Sequence, residues 1–469
     1  MPPFFGSNPL SNSSINSNSN IVTIDVGGHL FQTTKQTLKQ AGSKSPFYTI
    51  CTNSDNFNNS IPFFDRDPEI FSILLSLLRT GNLPSKAKNF DIQDLIFEAK
   101  FYGIEQLVLN SQSNPSQFEA FDLEKSVILP LSGRDSPTTI STTDNGSVQV
   151  AHGCKITSFD WSLKRKSTIL TQYPAIDSML CLNSRFVAIG ATDYSGLQIL
   201  DLVKGCVEKA ISWENVTKSG STVQAIGSSG DQFLFTSFES SRRNSNCIMI
   251  YDVNNDFKPV SEFGHYEIFG AKLDSAIPAT KLRWLPSYNL LMSAGSHSGP
   301  SGVLGTIKFW DLRSGNSVWE IKENVDCFSD ITVSDSLCGI FKVGVHSGEV
   351  FLADLRNIGA ENAWFCLGDQ RKVTNGKKEG IGCKMESHGN QVFCTKGGNV
   401  ELWSEVLING LIKGKIGSEG RVFRKNFMGR AKDNCGNRIT NFSFGGNRMF
   451  VTRKDQQFVE VWQSSVRGF

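Results

Sequence analysis

Two patterns of apolar and polar positions divide the chain. From residue 21 to about 109, short alternating segments lead into two helical patterns. Beyond residue 124 the helical periodicity disappears, and short apolar strands recur between turns rich in Gly, Ser, Asn and Asp, which indicates a repeat architecture. The polar segment 110–124 is predicted to be a linker, and the Ser/Asn-rich residues 1–20 are predicted to be a disordered tail.

The first part begins with a predicted hairpin. Residues 22–26 alternate between apolar and polar side chains, and Gly27-Gly28 permits a tight turn into a second strand. Two helices are then predicted, over 68–80 and 91–102. For the first of them, Asp67 suits the N-cap, Pro68 suits the first helical position and Gly81 suits the end.

The first predicted helix is apolar on nearly its whole circumference. A small domain has one core, so we expect a second protein surface to cover the remaining side, which predicts self-association. The alternative is a helix that its own domain encloses completely. The apolar residues of this helix are Ile70, Phe71, Ile73, Leu74, Leu75, Leu77 and Leu78.

The second part repeats a strand that ends in an apolar residue followed by Asp. The copies end at Asp160, Asp201, Asp252, Asp311 and Asp354, and two degenerate copies end at Ser404 and Gln463. Their intervals of 41 to 59 residues equal or exceed the ~40–45 residues of a WD repeat. The clearer copies contain four strands each, which is one propeller blade, so the sequence predicts seven blades.

The last copy lacks an outer strand, because only six residues follow Gln463. An unpaired edge would favour aggregation. We therefore predict that the apolar segment 126–131 pairs beside residues 458–462 and closes the ring. The alternative is that 126–131 belongs to the first blade or packs on the linker.

Composition narrows the function classes. The formal net charge of +2 points to neither nucleic acid nor an acidic membrane, and the longest dense apolar run, 70–78, is far shorter than the ~20 residues of a membrane span. Eleven cysteines, without a Cys-x-x-Cys pair, favour a reducing compartment, so we expect a cytoplasmic or nuclear protein.

The first part resembles a known fold. The segments VTIDVGGHLFQTT, FFDRDPEIFSILLSLLRTGNLP and FEAKFYGIEQLV resemble the BTB/POZ domain of the potassium-channel tetramerisation type. The resemblance implies an α/β BTB/POZ domain over 21–109 that forms homo-oligomers and binds cullin-3. It places the cullin-facing positions at Phe64, Asp65, Pro68, Phe71, Phe101 and Tyr102. The zinc site of the channel proteins is not expected, because only His29 and Cys51 are present.

The second part, 125–469, resembles WD-repeat propellers. The combination is similar to a plant family of BTB proteins with WD-repeat-like C-terminal halves. The resemblance therefore implies a multidomain protein, with an α/β BTB/POZ domain followed by an all-β seven-bladed propeller.

No catalytic pattern is evident. The chain contains no H-E-x-x-H, no Cys/His ligand spacing and no G-x-S-x-G, so we predict neither enzyme activity nor a cofactor or metal. His152, His297 and His346 occupy analogous blade turns, where turn hydrogen bonds are the expected role and convergence on a metal is the alternative.

A basic loop face is the predicted substrate site. Arg242-Arg243 lies between the second and third strands of the third blade, and guanidinium pairs suit carboxylates or phosphates. The alternative is a solvated loop without a ligand. The analogous loops carry Tyr194, His297, His346, Lys396, Arg453 and Lys454.

Together these features predict a substrate adaptor of a cullin-3 RING E3 ubiquitin ligase. The BTB domain would oligomerise and bind the cullin, and the propeller would recruit an unidentified target protein. The alternatives are an oligomeric scaffold or regulatory protein outside the ubiquitin system, and a propeller enzyme with acid or metal-ligand clusters around its axis.

Overall fold

The computed structural model describes residues 20–464 apart from 53–60, 91, 113–117, 119, 145, 162, 231, 268–276, 300–301, 324–325, 358–363, 374–377, 407–420 and 429–436. The predicted disordered tail lies outside the described residues, except for Asn20. The chain forms two compact units, which divide between Gln112 and Ser113.

The described residues of the first unit form a three-stranded sheet and five helices. The strands are β1 (Ile21–Val26), β2 (His29–Thr34) and β3 (Phe63–Phe64), in the order β2-β1-β3, with β2 antiparallel and β3 parallel to β1. Gly27 joins β1 to β2 with φ +57°, and a Cβ atom there would lie 2.6 Å from the carbonyl oxygen of Arg66. The predicted Gly-Gly turn therefore also lets the chain after β3 approach closely.

The helices are α1 (Lys35–Lys39), α2 (Pro46–Thr52), α3 (Pro68–Thr80), α4 (Ile92–Phe101) and α5 (Glu105–Gln112), with a 3-10 turn over Ser85–Asn89. The predicted ends of α3 are confirmed. The side chain of Asp67 accepts hydrogen bonds from the amides of Glu69 (2.7 Å) and Ile70 (3.2 Å), and Gly81 ends the helix with φ +74°.

The expectation that a second protein covers α3 is wrong. All seven apolar side chains of α3 are buried within the described part of this unit. The helix lies at the centre, where Phe71 contacts Phe31 of β2 and Phe47 of α2, and α4 and α5 pack on another side. The other four helices and the sheet together enclose its circumference, so any self-association uses another surface.

The described residues of the second unit form seven four-stranded antiparallel sheets. Their strands are, for blade 1, β5 (Pro137–Thr142), β6 (Val148–His152), β7 (Lys155–Phe159) and β8 (Arg165–Leu170); for blade 2, β9 (Ser178–Cys181), β10 (Phe186–Gly190), β11 (Leu197–Asp201) and β12 (Cys206–Ile211); for blade 3, β13 (Ser221–Ser228), β14 (Phe233–Ser240), β15 (Ser245–Asp252) and β16 (Lys258–Glu267); for blade 4, β17 (Lys281–Leu285), β18 (Leu290–Gly299), β19 (Gly302–Asp311) and β20 (Ser317–Glu323); for blade 5, β21 (Phe328–Ser334), β22 (Gly339–Gly344), β23 (Val350–Asp354) and β24 (Trp364–Cys366); for blade 6, β25 (Met385–His388), β26 (Gln391–Lys396), β27 (Asn399–Val406) and β28 (Val422–Met428); and for blade 7, β29 (Ile439–Gly445), β30 (Arg448–Arg453), β31 (Phe458–Ser464) and β4 (Leu123–Pro130). The 3-10 turns are Ala120–Asp122, Leu355–Asn357 and Gln370–Lys372.

The seven blades form a closed ring. The first strand of each blade contacts the first strand of the next, and β29 of blade 7 contacts β5 of blade 1. The inner strands therefore surround a central axis, as in other propellers. The predicted all-β seven-bladed architecture is confirmed.

The predicted closure of blade 7 is also confirmed. β4 pairs antiparallel with β31, with Pro130 opposite Phe458, Leu129 opposite Val459 and Val127 opposite Val461. The ammonium of Lys125 lies 2.8 Å from the Glu460 carboxylate and ties the two strands further. The outer edge of the last strand is thus covered by a strand that precedes the first blade.

The predicted linker over 110–124 is wrong at both ends. Helix α5 continues to Gln112, and on the other side Ala120 and Leu123 are already buried in blade 7. The ring of Phe118 lies 4.7 Å from the imidazole of His388 and 5.5 Å from the ring of Phe444. The end of the predicted linker therefore contains a 3-10 turn, Ala120–Asp122, and the first residues of the closing strand, which begins at Leu123.

No helix among the described residues is long and apolar enough to cross a membrane.

Candidate functional site

Two of the predicted cullin-facing residues lie in the core of the first unit. Phe71 and Tyr102 are fully buried, and Tyr102 stacks on Phe47 with ring centroids 5.0 Å apart. Burial raises the pKa of Tyr102, and the nearby carboxylate of Glu98 raises it further, so the phenol is held neutral. Neither ring can contact a partner, because α3 and the end of α4 turn both of them inward.

The other predicted positions surround an exposed aromatic surface. Phe101 is 40% exposed at the end of α4, and the half-buried Phe64 packs on it with centroids 6.0 Å apart. The guanidinium carbon of Arg66 lies 4.0 Å from the centroid of the Phe101 ring, and its nitrogen lies 3.4 Å from the Glu98 carboxylate. Asp65 is exposed and Pro68 is half-buried on the adjoining loop.

Sequence reasoning missed Phe97, the most exposed residue of this surface. It is 66% exposed and precedes Phe101 by one helical turn, so the two rings occupy one face of α4. The F-x-x-x-F spacing in FEAKF was the available signal. We call Phe97, Phe101, Arg66 and Phe64 the α4 aromatic surface.

The outer face of the sheet is a second exposed surface. Asp25 of β1 lies opposite Leu30 of β2 and beside Phe63 of β3, while the alternate residues Ile24 and Val26 face the core. Leu30 and Phe63 are both exposed. The Oδ1 atom of Asp25 is buried between these strands without a hydrogen-bond partner among the described residues. An apolar pair around an unsatisfied carboxylate oxygen suits a partner surface that supplies a donor.

In the propeller, the structure brings Tyr194 and the two arginines into one sector. The loop before β15 carries Arg242 and Arg243, both exposed, and the amide of Ser241 donates to the carbonyl of Gly220 at 2.9 Å. The loop of Tyr194 reaches the same segment, because the amide of Gly196 donates to the carbonyl of Ser221 at 2.9 Å.

His297 belongs to the same side of the ring. It is exposed on the long β18–β19 hairpin of blade 4. Burial raises the pKa of Glu239 on β14, and the charges of Arg243 and His297 oppose that rise, so both lie near this carboxylate. We call Tyr194, Arg242, Arg243 and His297 the blade 2–4 sector.

Lys396 is placed elsewhere, in an ion-pair network of blades 5 and 6, and the backbone of His346 lies beside that network. The ammonium of Lys396 lies 3.7 Å from the Glu349 carboxylate and 3.5 Å from that of Glu379. The amide of His346 donates to Asp326 at 2.9 Å. These contacts hold neighbouring blades together and leave Lys396 neutralised by two carboxylates.

The assignment of Arg453 to the substrate face is wrong. Its side chain is buried and lies 3.1 Å from the Glu460 carboxylate, and it donates to the carbonyls of Gly398 and Asn437 at 3.0 Å. It therefore joins blades 6 and 7 from within. The next residue, Lys454, is exposed.

Charged residues also line the axis, which the sequence had not indicated. The ammonium of Lys281 on β17 lies 3.2 Å from Asp330 of β21 and 3.5 Å from Glu386 of β25, and Arg283 also contacts Glu386. Burial lowers the pKa of Lys281, and Asp330 acts against it. The two cations and two carboxylates neutralise each other, as expected for a contact between blades.

The described residues contain no group of three or more His, Cys, Asp or Glu side chains that could hold a metal ion. His152 is fully buried and its Nε2 lies 2.8 Å from the hydroxyl of Thr157, which is the turn role expected for it.

Both halves of the chain match known protein families. Residues 22–112 match the BTB/POZ domain, and residues 132–464 match the family described as "At2g24240-like, C-terminal beta propeller". The chain belongs to this family. Its fold, a BTB/POZ domain followed by a propeller, is thus shown by sequence and structure alike.

Two plant relatives align with nearly the whole chain, and a human relative aligns with part of it. The Arabidopsis thaliana BTB/POZ domain-containing protein At5g41330 is 58% identical over 96% of this chain and 97% of its own length, and At4g30940 of the same plant is 27% identical over 94% and 97%. Human BTB/POZ domain-containing protein KCTD5 is 36% identical over 92 residues, which are 19% of this chain and 38% of that protein.

A chain of the solved structure entitled "Crystal Structure of Mitotic Checkpoint Complex" covers 74% of this protein and 92% of its own length. The TM-score is 0.50 and the sequence identity 13%, so this likeness concerns the fold alone.

Proposed function

We propose that this protein is a substrate adaptor of a cullin-3 RING E3 ubiquitin ligase and carries out no catalysis itself. The BTB/POZ domain binds cullin-3 and assembles copies of the chain, and the propeller recruits the protein to be ubiquitinated. The family architecture supports this proposal, because it joins an assembly domain to a ring with a large loop surface. The site of action is the cytoplasm, the nucleus or both.

The observation that carries the cullin assignment is the α4 aromatic surface. Phe97 and Phe101 expose large rings on one helical face, and Arg66 lies over the second ring. Aromatic and arginine side chains dominate the binding energy of protein interfaces. Two exposed rings on one helical face, with an arginine packed on one of them, form a patch of the kind that marks protein–protein interaction sites.

The test is capture of the cullin-3 N-terminal domain by the full chain. Phe97→Ser with Phe101→Ser should weaken binding about 100-fold, because each substitution loses about 1.4 kcal/mol and each such loss is a factor of ten in affinity. The matched control is Phe427→Ser, because Phe427 is 68% exposed on β28 of the propeller. Phe71 is left intact, because its replacement would damage the core.

Circular dichroism of each variant establishes that the fold is retained. Equal capture by the double variant and by the wild-type chain would refute the α4 assignment. No capture by the wild-type chain, together with self-association, would favour the oligomeric scaffold outside the ubiquitin system.

Self-association is assigned to the outer sheet face, in place of α3. Leu30→Glu with Phe63→Glu would set two further carboxylates beside Asp25, and like charges on neighbouring strands repel both each other and a partner. The mass of the full chain in solution, measured by light scattering, should fall to that of one chain. The control is Leu170→Glu with Val203→Glu, two exposed apolar residues of the propeller. An unchanged mass in the Leu30/Phe63 variant would place the interface elsewhere.

The target protein is assigned to the blade 2–4 sector, where Arg242 and Arg243 are exposed beside Tyr194. Two adjacent guanidinium groups suit an acidic segment of the target. Lys396 and Arg453 take no part, because carboxylates of the propeller already neutralise them.

A further inference from the structure

A cavity of about 290 Å³ lies between blades 3 and 4. Its walls come from β14, β15 and β16 on one side and from β18 and β19 on the other. Apolar and polar groups contribute comparably to the wall. The apolar part includes Tyr266 and Trp310, and the hydrogen-bonding part includes Ser237, His265, Ser293 and Lys308. The volume lies just below the ~300–1,000 Å³ typical of small-molecule sites.

One hydroxyl in the wall has no partner. Trp310 donates its indole N–H to the Oγ of Ser293 at 2.8 Å, so this part of the wall is satisfied internally. By contrast, the Oγ of Ser237 is buried without a hydrogen-bond partner among the described residues, and the whole residue is only 1% exposed. Buried hydroxyls are normally hydrogen-bonded, so the hydroxyl of Ser237 is available to donate to a group bound in the cavity.

The charges at the cavity favour an anion. The Lys308 ammonium is only loosely paired, since the Glu320 carboxylate lies 3.8 Å away and also lies 3.9 Å from Lys322. Of the two carboxylates on β16, that of Glu262 lies 2.6 Å from the imidazole of His265, while that of Glu267 lies 3.8 Å from it and its Oε1 has no hydrogen-bond partner among the described residues. Neither glutamate is among the residues that line the cavity. Among the described lining groups, Lys308 is therefore the cation placed to receive a carboxylate.

We propose that this cavity binds a small organic anion that joins a carboxylate to an apolar ring. The carboxylate would accept hydrogen bonds from Lys308 and from the Ser237 hydroxyl. The ring would pack against Trp310 and Tyr266, which line the same space. This site is separate from cullin binding and does not depend on the proposed adaptor function.

The test uses the full chain and two probes of nearly equal shape, benzoate and neutral benzamide. Isothermal titration calorimetry and the thermal unfolding midpoint should show benzoate binding and at least 10-fold weaker binding of benzamide. Lys308→Met should weaken benzoate binding at least 10-fold, because it removes the charge and keeps the stem. Ser237→Ala should weaken it several-fold, because it removes one donor.

Lys209→Met is the matched control, because Lys209 of β12 pairs with Asp256 in the turn between β15 and β16, does not line the cavity and has a similar exposure. Binding that survives in Lys209→Met and is lost in Lys308→Met supports the site. Three outcomes would overturn the proposal: no benzoate binding at 10 mM, equal binding of benzamide, or benzoate binding that Lys308→Met leaves unchanged. Equal binding of benzamide would mean that the cavity selects an aromatic shape and not a charge.

Discussion

The contribution of the closing strand β4 can be measured with a single substitution. Leu129 is 3% exposed and packs in one cluster with residues of blades 1 and 7, among them Val148, Phe450 and Val459. Replacing a buried leucine with alanine costs roughly 2–5 kcal/mol, depending on how far the cavity collapses. Here the surrounding strands are held by the closed ring, so we expect a loss of about 3 kcal/mol in the free energy of unfolding.

The assay is urea denaturation of the full chain, followed by tryptophan fluorescence. All eight tryptophans lie beyond residue 160, so the signal reports on the propeller and not on the BTB/POZ domain. With a denaturant dependence of about 3 kcal/mol per molar urea, Leu129→Ala should lower the midpoint by about 1 M.

Ile128→Ala is the internal control, because Ile128 lies next to Leu129 on β4 but is 48% exposed. Its midpoint should change by less than about 0.2 M, since surface substitutions usually stay within about 0.5 kcal/mol. Equal shifts for the two variants would refute the reasoning that β4 contributes through its buried face.

Three further predictions concern the charged groups of the propeller. Arg453→Met should destabilise the propeller by about 3 kcal/mol in the same urea assay, the low end for a broken buried pair, because Lys125 still lies 2.8 Å from Glu460. Arg242→Glu with Arg243→Glu should keep the free energy of unfolding within about 0.5 kcal/mol of wild type. The same double variant should no longer capture the target proteins that the wild-type chain retains, as measured by quantitative mass spectrometry, whereas Lys164→Glu with Lys166→Glu on blade 1 should still capture them. The hydrogen bond from Arg185 lowers the pKa of Asp201 from 3.8 to about 2. The pair therefore stabilises the fold above pH 3.8 and loses that effect as the pH falls towards about 2. The difference in urea midpoint between Arg185→Met and wild type should be full at pH 7 and should shrink as the pH falls from 3.8 to about 2.

Local signals in the sequence were sufficient for the architecture. Helix α3 could be delimited because Asp67, Pro68 and Gly81 each act through the backbone next to them. The closure by β4 was predictable from a deficit, because the last repeat lacked a strand and an unassigned apolar segment was present upstream.

The burial of side chains and the partners of charged residues depended on how the elements pack, and these could not be predicted. A one-dimensional pattern shows that α3 is apolar all round, but only the packing of the other four helices and the sheet shows that one domain encloses it. Arg453 looks like any basic loop residue until Glu460, on the next strand, is found beneath it. Asp330, Lys281 and Glu386 meet at the axis from three different blades.

The pairing of β4 with β31 also sets an order of events during synthesis. Lys125 leaves the ribosome 335 residues before Glu460. At about 5–20 residues per second, β4 waits roughly 17–67 s for its partner strand. Throughout that interval the ring is open, while the BTB/POZ domain, complete from residue 112, is already free to fold and meet other copies. Self-association through the BTB/POZ domain could therefore begin on nascent chains whose propellers do not yet exist.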